Sequence, residues 1–142
     1  MKIKFKKLSP QAKIPTKATP GSAAYDLYAT ENAFIPPGVT VSVCTGLSLE
    51  IPEGWKGEIY SRSGLAYGGT VVSNAPGKID SDYRGEIKVL LHNNRTQDIV
   101  GIEAGDRIAQ FEINPVHNIE LEEVEDLNET QRGGKGFGST GK

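Results

Sequence analysis

Gly38-Val39-Thr40-Val41-Ser42-Val43-Cys44-Thr45-Gly46-Leu47-Ser48-Leu49-Glu50-Ile51 is the stretch whose reading decides the fold class. Val39, Val41, Val43, Leu47, Leu49 and Ile51 hold odd positions, with Thr40, Ser42, Cys44, Gly46, Ser48 and Glu50 between them. Successive side chains of an extended strand point to opposite faces. This period of two therefore predicts one half-buried strand, or two strands joined by a bend at Gly46. Outward from it the same period returns in Ile87, Val89 and Leu91, in Ala109, Phe111 and Ile113, and in Ile3 and Phe5 among Lys2, Lys4 and Lys6. Breakers part these runs: Pro36-Pro37-Gly38, Pro52-Glu53-Gly54, Gly68-Gly69, Pro76-Gly77, Asn93-Asn94, Gly105 and Asn114-Pro115. Many short strands with turn signals between them predict an all-β sandwich or barrel. The one plausible helix is a turn or two at Ser63–Tyr67. Residues 119–127 are acidic and read as an extended tail.

The remaining bulk properties narrow the function. A chain of 142 residues fits a single domain and is long enough for a real core. Sixteen basic against eighteen acidic residues give a net charge of −2, so no global basic field points to nucleic acid. Cys44 is the one cysteine, which leaves no intramolecular disulfide and suits a packing role. His92 and His117 lack metal-ligand spacing with it and with each other, and read as structural. The lysine-rich start has no apolar signal core and no run is long enough to span a bilayer, so a soluble, intracellular protein is expected.

Three segments are dense enough in chemistry to weigh. Arg62-Ser63-Gly64 opens the short helix; it is either an ordinary cap beside a surface arginine or an anion site of hydroxyl, free N–H groups and guanidinium. Residues 74–86 lie between predicted strands at 70–73 and 86–91, so they should form a hairpin. It is either a mere turn or a nucleoside slot with Asp80 facing a water. In Gly105-Asp106-Arg107-Ile108-Ala109-Gln110, Asp106 and Arg107 read as a turn and a structural ion pair, and Gln110 as a donor to phosphate. The last fifteen residues, rich in glycine, cannot bury enough apolar area to fold alone. They are either a disordered tail or a flexible lid that orders on an anion. P-loop, dinucleotide, zinc-hydrolase and serine-elbow signatures are all missing from the sequence.

Taken in order, five segments resemble the motifs of the trimeric deoxyuridine triphosphatase (dUTPase) family. They are Pro20-Gly-Ser-Ala-Ala-Tyr-Asp26-Leu-Tyr-Ala29, Gly57-Glu-Ile-Tyr-Ser-Arg-Ser-Gly-Leu-Ala66, Gly77-Lys-Ile-Asp-Ser-Asp-Tyr-Arg-Gly-Glu86, Gly105 to Gln110, and Arg132-Gly-Gly-Lys-Gly-Phe-Gly-Ser-Thr-Gly141. The resemblance implies a jelly-roll, or distorted barrel, over residues 1–127 and a lid over residues 128–142. It implies a homotrimer with active sites between subunits, and hydrolysis of dUTP to dUMP and pyrophosphate, which keeps uracil out of DNA. By the same resemblance Asp80 holds the attacking water, and Asn74, Gly77, Ile79 and Lys88 surround the nucleoside. Tyr83 lies under the deoxyribose. Arg62, Ser63, Gly64 and Gln110 cradle phosphates. Arg132, Phe137, Gly138, Ser139 and Thr140 close over the substrate, with Phe137 on uracil. Mg²⁺ is implied on the triphosphate oxygens without direct protein ligands, with Asp26 as a contact through water. Ala24 and Lys135 stand where the family pattern has glycine. Two other readings stand beside this one: a dCTP deaminase-like hydrolase of the same fold, and a nucleotide-responsive binding or regulatory protein.

Overall fold

The period of two becomes a set of antiparallel ladders. The structure, a computed structural model, describes residues 1–136. In chain order its elements are β1 (Lys4–Lys7), β2 (Tyr25–Tyr28), β3 (Ala33–Ile35), β4 (Thr40–Cys44), β5 (Leu47–Glu50), β6 (Trp55–Tyr60), α1 (Ser63–Tyr67), β7 (Thr70–Val72), β8 (Gly77–Ile79), β9 (Lys88–Asn93), β10 (Val100–Ile102) and β11 (Arg107–Pro115). Two larger sheets, ordered β2-β11-β6-β8 and β4-β9-β7, are joined by the pairs β1-β5 and β3-β10. The result is a single-domain, all-β jelly roll.

Both larger sheets turn their apolar residues to one core. Val43 lies opposite Val89 and Val41 opposite Leu91 in the β4-β9 ladder, with Val43, Val89 and Leu91 buried. Leu27, Ile59, Ile79 and Phe111 from the other sheet join the same cluster. Directly opposed β-branched and aliphatic residues are the pairs that stabilise a sheet face. Of the two sequence readings of residues 39–51, the bend is what forms. Gly46 has φ of +63°, and a Cβ there would lie 2.8 Å from Ser9 Oγ and 2.9 Å from Thr30 Cγ2. Glycine is therefore required both for the left-handed backbone and for space. Ser48 and Thr45 depart from the half-buried pattern. Both are buried, and Thr45 Oγ1 donates to Ile87 O at 2.6 Å.

Two expectations are corrected. Asn114-Pro115 does not break the last strand, since β11 stays in register through Asn114 opposite Lys56 and Pro115 opposite Trp55. Pairing of β11 with β2 ends at Phe111, so the missing proline N–H faces no ladder on that side. Residues 74–86 are more than a hairpin. β7 and β9 do pair antiparallel, but the chain between them crosses to the other sheet, where β8 pairs with β6. After Pro115 the Val116 N–H donates to Gly54 O at 2.8 Å, and residues 117–136 are exposed without regular structure.

Candidate active site

The crossing of β8 builds a cleft between the two sheets. Gly77, lying opposite Ile59, starts the strand, and its missing Cβ leaves room for Asn74, whose Nδ2 lies 3.2 Å from where that Cβ would be. Asp80 follows β8 directly, and the Tyr83 N–H donates to Asp80 O at 3.2 Å, closing the turn. Arg84 Nη1 donates to Ser81 O at 2.6 Å and to Tyr83 O at 3.0 Å, which stiffens the tip. Tyr83 folds back so that its hydroxyl donates to Glu86 O at 3.1 Å. A Cβ on Gly85 would overlap the Tyr83 ring, so glycine is what allows this return. Glu86 accepts the Gly46 N–H at 2.9 Å and stands 3.9 Å from Lys88 Nζ.

These residues enclose a cavity of about 360 Å³. Asn74, Gly77, Ile79, Asp80, Tyr83 and Lys88 all line it, with Ile59, Val72 and Val89 as its apolar floor. Asp80 is exposed and also lines a second cavity, of about 500 Å³, with Trp55 and Val116. Its carboxylate is therefore reachable by water and by a ligand in the first cavity.

A second cluster forms where β6 runs into α1. Asp26 on β2 is buried, with Arg62 Nε 3.0 Å from one oxygen and Arg107 Nη1 3.3 Å from the other. Arg62 Nη1 also donates to Arg107 O at 3.2 Å. Two guanidinium groups against one carboxylate leave a net positive charge with N–H donors to spare. Gln110 is in register with Asp26 on one side and Tyr60 on the other, so it belongs to this cluster. Asp106 does close a turn, accepting the Glu103 N–H at 2.9 Å. The ion pair expected beside it is made by Arg107 to Asp26, from a strand 81 residues away in sequence.

Ser63 is not the cap that the sequence suggested. Arg62 is the N-cap, with φ −80° and ψ 133°, and no side chain caps the helix. Ser63 is the first helical residue, so its hydroxyl and the first-turn N–H groups are not used by a cap. Arg62, Ser63, Gly64 and Gln110 do not line the cavity that holds Asp80. Arg132 is exposed and donates from Nε to Lys135 O at 2.8 Å. Phe137, Gly138, Ser139 and Thr140 lie outside the described residues. Ala24, standing for the family's glycine, is simply buried.

The family model for dUTPase matches residues 10–141. The chain belongs to the dUTPase family. Relatives of the family are similar over nearly the whole length. The deoxyuridine 5'-triphosphate nucleotidohydrolase of Nautilia profundicola is 50% identical over 143 residues, 100% of each chain. That of Anaplasma marginale is 52% identical over 131 residues, covering 90% of this chain and 88% of the relative. Among solved structures, a variant of the Staphylococcus bacteriophage 80alpha dUTPase with dUpNHpp superposes with a TM-score of 0.87 at 28% identity, covering 99% of this chain and 98% of that one. A variant dUTPase of phage phi11 of S. aureus, described with a structural Mg(II) ion, superposes with a TM-score of 0.81 at 26% identity, covering 89% and 98%. In dUTPase terms the cavity around Asp80 corresponds to the third motif, and the Asp26-Arg62-Arg107 cluster joins the first, second and fourth.

The sequence offered no signal for Gly85 as the seat of Tyr83 or for Asp26 as the tether of Arg62. The first turns on how a side chain two positions away folds, and the second joins residues 36 positions apart. Donor chemistry bears on the Mg²⁺ that the family implies. Asp26 is the carboxylate of the cationic cluster, and each of its oxygens already takes an arginine. Such a set suits an ion that arrives on triphosphate oxygens better than one held by a cage of protein carboxylates.

Proposed function

We propose that this protein hydrolyses dUTP to dUMP and pyrophosphate by attack of water on the α-phosphorus. The observation that carries the reading is the cavity that gathers Asn74, Gly77, Ile79, Asp80, Tyr83 and Lys88 beside the exposed Asp80 carboxylate. Uracil enters between β8 and β9, where backbone groups and the Asn74 amide meet its polar edge. A volume of about 360 Å³ suits one nucleoside and little more. Tyr83 lies against the sugar and leaves no room for a 2′-hydroxyl. Asp80 accepts a proton from the attacking water, a contribution of roughly 10²–10⁴-fold.

Arg62, Ser63, Gly64 and Gln110 neutralise and orient the phosphates. Little covalent work falls to the protein in such a transfer, so position and charge dominate. Mg²⁺, when bound to the triphosphate, supplies charge neutralisation for the leaving pyrophosphate. Asp26 takes part by fixing Arg62 and Arg107, and any contact with water around the ion would be through its remaining lone pairs. Residues 128–142 form the lid of this reading. Arg132, Phe137, Gly138, Ser139 and Thr140 close on the bound nucleotide and exclude bulk water.

The assembly is a homotrimer in this reading. It is supported by the separation of the phosphate residues from the Asp80 cavity within one chain, because a neighbouring copy then completes each site. Nucleic acid and membrane have no part in it. The net charge is −2, and among the described residues no helix is long and apolar enough to cross a membrane. A soluble, intracellular setting suits a substrate of the nucleotide pool.

The test is pyrophosphate release from dUTP, dCTP, dTTP and UTP with and without Mg²⁺, alongside Asp80→Asn. Release from dUTP alone, with a fall of at least ~10² in the variant and dUTP binding retained, is the expected result. Ammonia release from dCTP would instead assign a deaminase. Full activity in Asp80→Asn would remove Asp80 from the role given to it.

A further inference from the structure

We infer that Arg95 is a positioning residue for the phosphate-binding turn, holding α1 from the end opposite to Arg62. The inference rests on the phosphate role given above to Ser63 and Gly64, and it begins with a physical weakness of α1. The helix has five residues, none of them buried, no acidic residue in its first turn and no basic one in its last. A helix so short has no stability of its own, and this one sinks no side chain fully into the core, with Leu65 and Ala66 only half-buried. Ties at its ends must therefore set where Ser63 and Gly64 stand.

The leading end is tied by the Arg62–Asp26 pair and by Ser61 Oγ, which accepts the Val72 N–H at 2.8 Å. The trailing end is tied by the loop after β9. Arg95 Nε donates to Gly68 O at 2.7 Å, and the Asn94 N–H donates to Gly69 O at 2.8 Å. A guanidinium on the last carbonyls supplies the cation that the helix C-terminus favours and that α1 itself lacks. Gly68 and Gly69 let it lie close. A Cβ on Gly68 would be 3.3 Å from Arg95 Nη2, and one on Gly69, where φ is +86°, would be 3.1 Å from Arg95 Cγ.

The arginine is itself held. Asn93 is fully buried; its Oδ1 accepts the Arg95 N–H at 2.9 Å, and its Nδ2 donates to Ile35 O at 2.9 Å and Asp98 O at 2.7 Å. Every polar atom of that amide is used, so the loop enters at one angle. The path thus runs from the core through Asn93 and Arg95 to the end of α1, and along the helix to the phosphates. Arg62 keeps its own tether, so loss of Arg95 should release Ser63 and Gly64 while leaving the nucleoside cavity alone.

Arg95→Ala and Arg95→Lys test this on the full chain. In nucleotide-free protein, hydrogen exchange at the Ala66, Gly68 and Gly69 amides should quicken in Arg95→Ala while the β8 amides keep wild-type protection. Calorimetric affinity for an α,β-imido analogue of dUTP should fall roughly tenfold in Arg95→Ala, and that for dUMP should change less than about twofold. Arg95→Lys, which can still donate to Gly68 O, should recover part of both losses. Unchanged amide protection, or an equal fall for the two nucleotides, would overturn the brace. A wild-type protein that binds neither nucleotide would sink the phosphate reading instead, and the amide protection would still decide whether Arg95 holds α1.

Discussion

Gly85 and Tyr83 show how one missing methyl group shapes chemistry at the residue scale. Tyr83 can return over the backbone because position 85 carries no Cβ to meet its ring. Gly85→Ala should therefore displace the ring and act like Tyr83→Ala. Both variants should lose roughly tenfold or more of the preference for dUTP over UTP, read as the ratio of kcat/KM values, with the fold kept. Unchanged selectivity in both would show that something other than this ring rejects the 2′-hydroxyl. Asp80, Tyr83 and the residues around them were legible in the sequence, because acids, an arginine and a tyrosine crowd a segment bounded by strand patterns. Gly85 lies in the same segment, but its part depends on how the Tyr83 ring, two positions away, folds.

At the scale of elements, the β6-β11-β8 junction is held by a polar network in which Glu58 and Tyr60 of the second motif meet Lys78 of the third. Glu58 on β6 is buried, with Lys56 Nζ at 2.9 Å, Lys78 Nζ at 3.2 Å, and hydrogen bonds from Tyr60 at 2.9 Å and Asn114 at 2.7 Å. Lys56 first, then Tyr60, Asn114 and Lys78, hold its carboxyl down from the usual 4.5 to about 2. A lowered folded value means stability that is present above the unfolded value and lost as pH falls through the folded one. Thermal unfolding of Glu58→Gln should thus occur below the wild-type Tm at neutral pH. The gap should shrink between pH 4.5 and about 2 and vanish below that. A gap that stays constant through this window would show that the charge of Glu58 contributes nothing. The strand β8 that this network fastens is also one of several that no sequence period marked. Gly77-Lys78-Ile79 is too short to show a period, and only its pairing with β6 makes it a strand.

At the scale of the whole molecule, one chain carries the Asp80 cavity and a cationic cluster that do not line the same cleft. Truncation after Glu129 should leave a folded protein of wild-type Tm and wild-type oligomeric mass by light scattering, with dUTP turnover down at least ~10². Retained turnover would remove the lid from the mechanism, and a monomeric mass for the intact chain would remove the shared site. Among the described residues the last backbone tie of the tail to the barrel is at Val116, and residues 117–136 are exposed, so they add nothing to the barrel's core.

From sequence alone the class of fold followed, together with the helix at Ser63–Tyr67 and the crowding of chemistry around Asp80. Each is written in residues that are neighbours along the chain, where strand period, turn chemistry and motif order act over a few positions. What tertiary structure decided was the crossing of β8 to the other sheet, the double hold of Arg62 and Arg107 on Asp26, and the reach of Arg95 to the end of α1. These join residues 20 to 81 positions apart. Contacts at such separations arise from how sheets close around a common core, and no local pattern of side chains encodes them.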